Sequence, residues 1–159
     1  MELFLARNHA VMVHLPIGAA VLAAAAAIVG LFVHRREIAW SWAVLSLVAF
    51  VSALPALVTG SAAAKGRFNE EGKPYLEQGL IVADTPANTR IFRHQMLGIA
   101  GTVAAGLLSA LGIARLRGRN PNRFQVAALA IALAFLWGIG GHLGGQVLWG
   151  PDTFPVFSM

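Results

Sequence analysis

The chain has no cysteine among its 159 residues. That excludes disulfides, thiol nucleophiles, iron–sulfur clusters and covalently attached c-type haem. Any metal or cofactor has to be held by His, Met or carboxylate. Charge is scarce as well: 12% of residues are Asp, Glu, Lys or Arg, about half the share of a soluble domain. The hydrophobic share is 57%. These proportions exclude a disordered chain, a nucleic-acid-binding domain and an ordinary soluble enzyme. The net charge of +5 rides on a very apolar chain, where arginines mark the cytoplasmic ends of membrane spans. Also missing are Gly-x-Ser-x-Gly, His-Glu-x-x-His and a phosphate loop. No carboxylate falls inside a long apolar run. An intramembrane aspartyl protease and a carboxylate-driven transporter are thereby disfavoured, and no catalytic activity of the chain's own is expected.

What is present is four apolar runs, at about residues 10–33, 39–60, 91–114 and 124–148. Each is long enough to cross ~30 Å of hydrocarbon, which takes ~20 residues. The first lacks a basic leader and is read as a retained span. The expected fold is an all-α integral membrane four-helix bundle, up-down-up-down, forming a single domain with an outer loop over 61–90. Two short connections, His34–Glu37 and Arg115–Arg123, carry six arginines and one acid. Their charge density predicts that they face the cytoplasm, with both termini on the periplasmic side of a bacterial inner membrane. Trp40 and Trp42 would mark the inner boundary and Trp149 the outer one. A weak repeat relates the halves: His14 precedes Arg35, and His94 precedes Arg115, by the same interval.

Histidine is the residue type that carries chemistry here. His9, His14, His94 and His142 all fall toward the outer ends of the runs, while His34 sits among arginines at the inner end, in contact with head groups. Ionisable side chains inside a membrane usually mark functional sites. His14 is followed one turn deeper by Gly18, and His94 by Gly98 and then Gly101. His142 is preceded by Gly138. Residues four apart share a helix face, so three helices are expected to present a histidine above a side-chain-free notch. A flat macrocycle standing between helices needs that arrangement. The expectation is therefore a non-covalent haem b near the outer leaflet, with His14 and His94 as axial ligands from diagonally opposite helices. His142 would be a neighbouring partner or an alternative ligand. Arg93, with Arg90 and Arg67, would pair with propionates. His9, at the start of the chain, is the poorer candidate. A copper or zinc ion on His14, His94 and His142, with Met12 or Met96, is the competing chemistry. Gln95 and Gln146 stand at a depth suited to a quinone head group. The bland alternative is that small residues and histidines only serve helix packing.

Val13-His14-Leu15-Pro16-Ile17-Gly18 resembles the opening signature of the bacterial membrane proteins grouped as domain of unknown function 2231. Thr59-Gly60-Ser61-Ala62, His94 and Gly144-Gly145-Gln146-Val147-Leu148-Trp149 resemble further features of that family. The ending departs from it, with Gly150-Pro151 where members often carry His-Gly. The resemblance implies four helices, marks His14 and His94, and implies an association with Rieske-type electron transfer. Two functions follow as expectations. One is a small b-type cytochrome-like subunit passing electrons among membrane or periplasmic redox partners. The other is a non-catalytic assembly or anchor subunit in contact with lipid. Neither involves nucleic acid.

Overall fold

The computed structural model describes residues 8–65, 76–77, 80–81 and 86–149, with side chains over 8–61 and 89–146. A helical turn over 8–12 leads through Val13 into α1 (His14–Phe32). There follow α2 (Arg36–Lys65), a two-residue ladder of β1 (Leu76–Glu77) with β2 (Leu80–Ile81), α3 (Pro86–Leu116) and α4 (Arg123–Trp149). The four helices are long and apolar enough to cross a membrane over Asn8–Phe32, Arg36–Ser61, Thr89–Leu116 and Arg123–Gln146. Helices α2 and α3 run several residues beyond the apolar runs, into what the sequence suggested was loop. The turn at Val13 has a local cause. Pro16 lacks an N–H and its ring crowds the carbonyl of Met12, which loosens the helix one turn earlier.

Each helix contacts the next in sequence, and α1 closes the ring against α4. Helices α1 and α3 are therefore one diagonal of the bundle, and α2 and α4 the other. The interior is built largely of alanine: Ala20, Ala23, Ala49, Ala105 and Ala130 are fully buried. Many large apolar side chains point outward instead; Phe32, Phe135 and Val103 are 78%, 68% and 60% exposed. In water such a surface would be an aggregation liability. Facing hydrocarbon, it loses nothing. Lipid provides no hydrophobic drive to press helices together, so small residues that allow backbones to approach decide which face turns in.

The α2–α3 seam shows that close approach. A Cβ on Gly112 would lie 3.1 Å from both the Cα and the carbonyl oxygen of Ala43. Beside it, the buried Ser109 hydroxyl donates across the seam to the Ser46 carbonyl at 2.8 Å, and Ser46 donates to Ala43 O at 2.8 Å. One turn up, the Phe50 ring rests on Gly106. The buried hydroxyls of Thr59 and Thr102 are likewise spent on carbonyls of their own helices, Ala56 O and Gly98 O. Each buried hydroxyl thus has an acceptor, as a water-free interior demands.

The short turns are also capped by sequence. Gly118 adopts φ +83°, with Arg119 N–H bonded to Ala114 O and Gly118 N–H to Arg115 O, both at 3.0 Å. That is the Schellman ending of a helix, which favours glycine at the left-handed position. Asn122 then caps α4, its Oδ1 accepting from Phe124 N–H at 2.9 Å.

Gly112→Val should destabilise the bundle by about 1–3 kcal/mol through overpacking against rigid backbone. Gly18→Val, where a Cβ meets nothing within 4 Å, should change stability by no more than about 0.5 kcal/mol. Denaturant unfolding of the two variants in the same detergent checks the contrast.

Candidate functional site

The four inward stripes can be followed to the long-loop end of the bundle. On α1 the buried positions are Pro16, Ala19, Ala20, Ala23, Ala24 and Ala27. Counting back seven residues from Pro16 arrives at His9, on the same face. On α2 the stripe Trp42, Ser46, Ala49, Ala53 reaches Gly60 at the next seven-residue step. On α3 Leu108, Ala105 and Gly101 are buried, and seven residues before Gly101 stands His94. On α4 Val126, Ala130, Leu133 and Trp137 lead to Gly144. Two imidazoles therefore arrive from one diagonal, and two glycines from the other, at the same level.

The rings of His9 and His94 meet there with centroids 6.2 Å apart and planes crossing at 77°. Each is seated on glycine of a neighbouring helix. A Cβ on Gly60 would stand 2.9 Å from His9 Cε1, and one on Gly144 would stand 2.8 Å from His94 Cε1. Real Cβ atoms do not come so close, so the cradles exist because those residues are glycine. The ring nitrogens are oriented by hydrogen bonds. His94 Nδ1 lies 2.7 Å from Gly140 O; a carbonyl only accepts, so Nδ1 carries the proton and Nε2 presents a lone pair. His9 Nδ1 lies 3.0 Å from Thr59 Oγ1. The Thr59 hydrogen is directed to Ala56 O at 3.0 Å, so its oxygen accepts from His9 Nδ1–H. Both imidazoles are thus held in the tautomer that metal-binding histidines adopt, with one N–H anchored and the other nitrogen basic.

The sequence-based pairing of His14 with His94 is corrected by this geometry: the ring that stands against His94 is His9. His14 is exposed, and its Nδ1 donates back to Ala10 O at 2.5 Å. The reason is helical phase. Five residues turn a helix by about 500°, which leaves His9 and His14 roughly 140° apart, so only one can face inward. His14 shares its face with Gly18, Val21, Leu22 and Ala25, all exposed. The expected notches fare similarly. Gly18 and Gly138 have nothing within 4 Å of a built Cβ, Gly98 has only Leu57 at 4.0 Å, and Gly101 is filled by the Trp137 indole. No histidine rests on a glycine of its own helix. The glycines that matter are across the interface.

His142 is half-buried, with its Nε2 3.1 Å from Gln146 Nε2, which donates to it. It lies on the face of Gly138 and Phe135, away from the α4 stripe. Arg93 is exposed beside His94, and Arg90 is half-buried. Met12 is exposed and Met96 half-buried. Arg67, the sidechain of Trp149 and the tail after it lie outside the described residues. Of the two inner tryptophans, Trp40 is exposed with the Arg36 guanidinium 5.2 Å over its ring, whereas Trp42 is buried. Among the described residues no three His, Cys, Asp or Glu side chains are grouped to hold a metal ion. A closed copper or zinc site made only of such ligands is therefore not formed by them.

Gly144→Ala and Gly60→Ala should each displace the ring seated there. Nitrogen-15 spectra of ring-labelled protein should show the protonated Nδ1 form for His9 and His94 in the native chain. Those signals should shift or broaden in the two variants and stay unchanged in Gly18→Ala and Gly138→Ala; equal effects from all four would refute the cradle. No protein-family model, no curated protein and no solved structure matches the chain.

Proposed function

We propose that the protein is a multi-pass membrane electron-transfer subunit in which His9 and His94 would hold one haem b. The observation that carries this reading is the oriented imidazole pair on one bundle diagonal. Two metal–nitrogen bonds of about 2 Å plus the radii of two imidazole rings come to roughly 6 Å. The measured centroid separation of 6.2 Å agrees with that span. A set of only two protein ligands favours haem over a bare ion, because the macrocycle brings its own four nitrogens. Gly60 and Gly144, on the other diagonal, are the seats of the two rings.

Haem held by two histidines supplies a one-electron carrier with no open position for oxygen. The remaining work belongs to the chain. Thr59 and the Gly140 carbonyl accept from the two Nδ1–H groups and so orient both rings. Arg93 and Arg90 stand at the same end and suit propionates. With no cysteine, the attachment is non-covalent. The density of arginine in the short turns supports a bacterial inner-membrane placement with both termini outside, which would put the site within reach of periplasmic redox partners or a quinol.

A second reading has its own observation. The bonds from His9 to Thr59 and from His94 to Gly140 bolt α1 to α2 and α3 to α4, and the rings close the bundle end against each other. That is a complete structural role for a non-catalytic anchor or assembly subunit.

An absorption spectrum of protein purified in mild detergent from haem-replete cells separates the two. The electron-transfer reading expects a Soret band, with sharp α and β bands on reduction. His9→Ala and His94→Ala should each lose most of the haem, and His14→Ala should keep it. A folded, colourless protein that co-purifies with a stable partner contradicts the haem and supports the anchor; bound copper or zinc by elemental analysis would contradict both.

A further inference from the structure

At the opposite end from the histidine pair, the two short turns enclose a cleft of about 390 Å³. That volume is in the range of small-ligand sites. Its walls include His34, Arg35, Arg115, Asn120, Arg123 and, at the floor, the buried Trp42. No Asp or Glu lines it. The nearest acid in sequence, Glu37, is exposed and is not part of the wall.

Two of the three guanidiniums are held in place. Arg123 Nη1 donates to Leu31 O at 3.2 Å and to His34 Nε2. Arg115 Nη1 donates to Asn120 Oδ1. Each guanidinium has five N–H donors, so these bonds orient the groups and leave further donors to spare. None of these acceptors is a carboxylate, and no Asp or Glu on the wall offsets the three guanidinium charges around one concavity. Like charges repel more strongly at a low-dielectric boundary than in water, so an anion placed among them would relieve that repulsion. The planar guanidinium fork matches phosphate oxygens. The α4 N-terminus contributes little of this, because Asn122 already caps it.

Depth selects the source of the phosphate. The cleft lies where the membrane-crossing helices end, at Phe32, Arg36, Leu116 and Arg123. Phe32 and Phe124, 78% and 63% exposed, flank that level on the outer surface. A phosphate in the cleft would therefore sit at head-group height with apolar surface beside it for acyl chains. Basic pockets between membrane helices are known to take anionic head groups.

We propose that this cleft binds the phosphate of an anionic glycerophospholipid, with Arg35, Arg115 and Arg123 as its ligands and Trp42 as its floor. The histidine pair plays no part in it.

Native mass spectrometry of the full chain, released from detergent with added phosphatidylglycerol or phosphatidylcholine, tests the site. Phosphatidylglycerol should be retained in preference to phosphatidylcholine. Arg115→Gln should weaken its retention roughly five-fold, the effect of one surface cation on an anionic lipid. Because Arg115 and Arg123 also hold the turns together, Arg35→Gln is the cleaner variant: among the described residues its side chain makes no hydrogen bond, and the change should weaken retention similarly. Arg117→Gln, in the same loop but not on the cleft wall, should leave retention unchanged. Equal retention of the two lipids would overturn the proposal, as would an Arg117→Gln effect as large as that of Arg35→Gln. Displacement of phosphatidylglycerol by millimolar inorganic phosphate would show a free-anion site and would overturn the lipid assignment.

Discussion

Everything in this bundle depends on how closely helices can approach where hydrocarbon gives them no hydrophobic reason to associate. Alanine and glycine stripes decide the matter. They set which face of each helix turns inward and bring the α2 and α3 backbones near enough for Ser109 to reach the Ser46 carbonyl. They also determine which polar residues are carried to the ends of the stripes. The histidine pair is a consequence of that packing. His9 and His94 end inward stripes on α1 and α3, and the facing stripes on α2 and α4 end in the two glycines that make room for their rings.

The two ends of the molecule divide polar work differently. At the long-loop end, His9 and His94 are half-buried and hydrogen-bonded across helices to Thr59 and the Gly140 carbonyl, with Arg90 and Arg93 nearby on α3. At the short-turn end, they are guanidiniums at the surface, oriented by neutral acceptors and facing a cleft. Between them lies an interior with little chemistry, in which each buried Ser and Thr hydroxyl among the described residues donates to a backbone carbonyl, Ser109 doing so across the α2–α3 seam. A bundle of this kind insulates. It separates whatever the imidazoles do from whatever the arginines bind, and it offers no chain of ionisable groups connecting the two.

Much of this was legible in the residues. Four spans, their connections and the ring of helices follow from the length of the apolar runs and the shortness of two loops. The gathering of histidines at one end follows from alternating helix direction. What misled was the choice of helix face. His14 sits in the more conspicuous motif, above Gly18, and a glycine one turn away on the same helix resembles a notch. Yet in a membrane the inward face is the one with the smallest side chains. The stripe from Pro16 through Ala20, Ala23 and Ala27 points back to His9, while Val21 and Leu22 place His14 toward lipid. Gly60 and Gly144 were harder to find, because their role lies in contacts with other helices, which no spacing along one helix reveals. The cationic cleft was visible only as a basic loop, because its wall also takes residues from the other short turn, His34 and Arg35.

The account rests on His9, and no other ring, facing His94. Solid-state NMR recoupling between imidazole labels in liposome-reconstituted protein, with the remaining histidines replaced, measures that directly. A ring-to-ring correlation between His9 and His94 at the short range implied by their 6.2 Å centroids is the result expected. A His14–His94 correlation in its place, or no correlation from His94 to either ring in the folded protein, would contradict it.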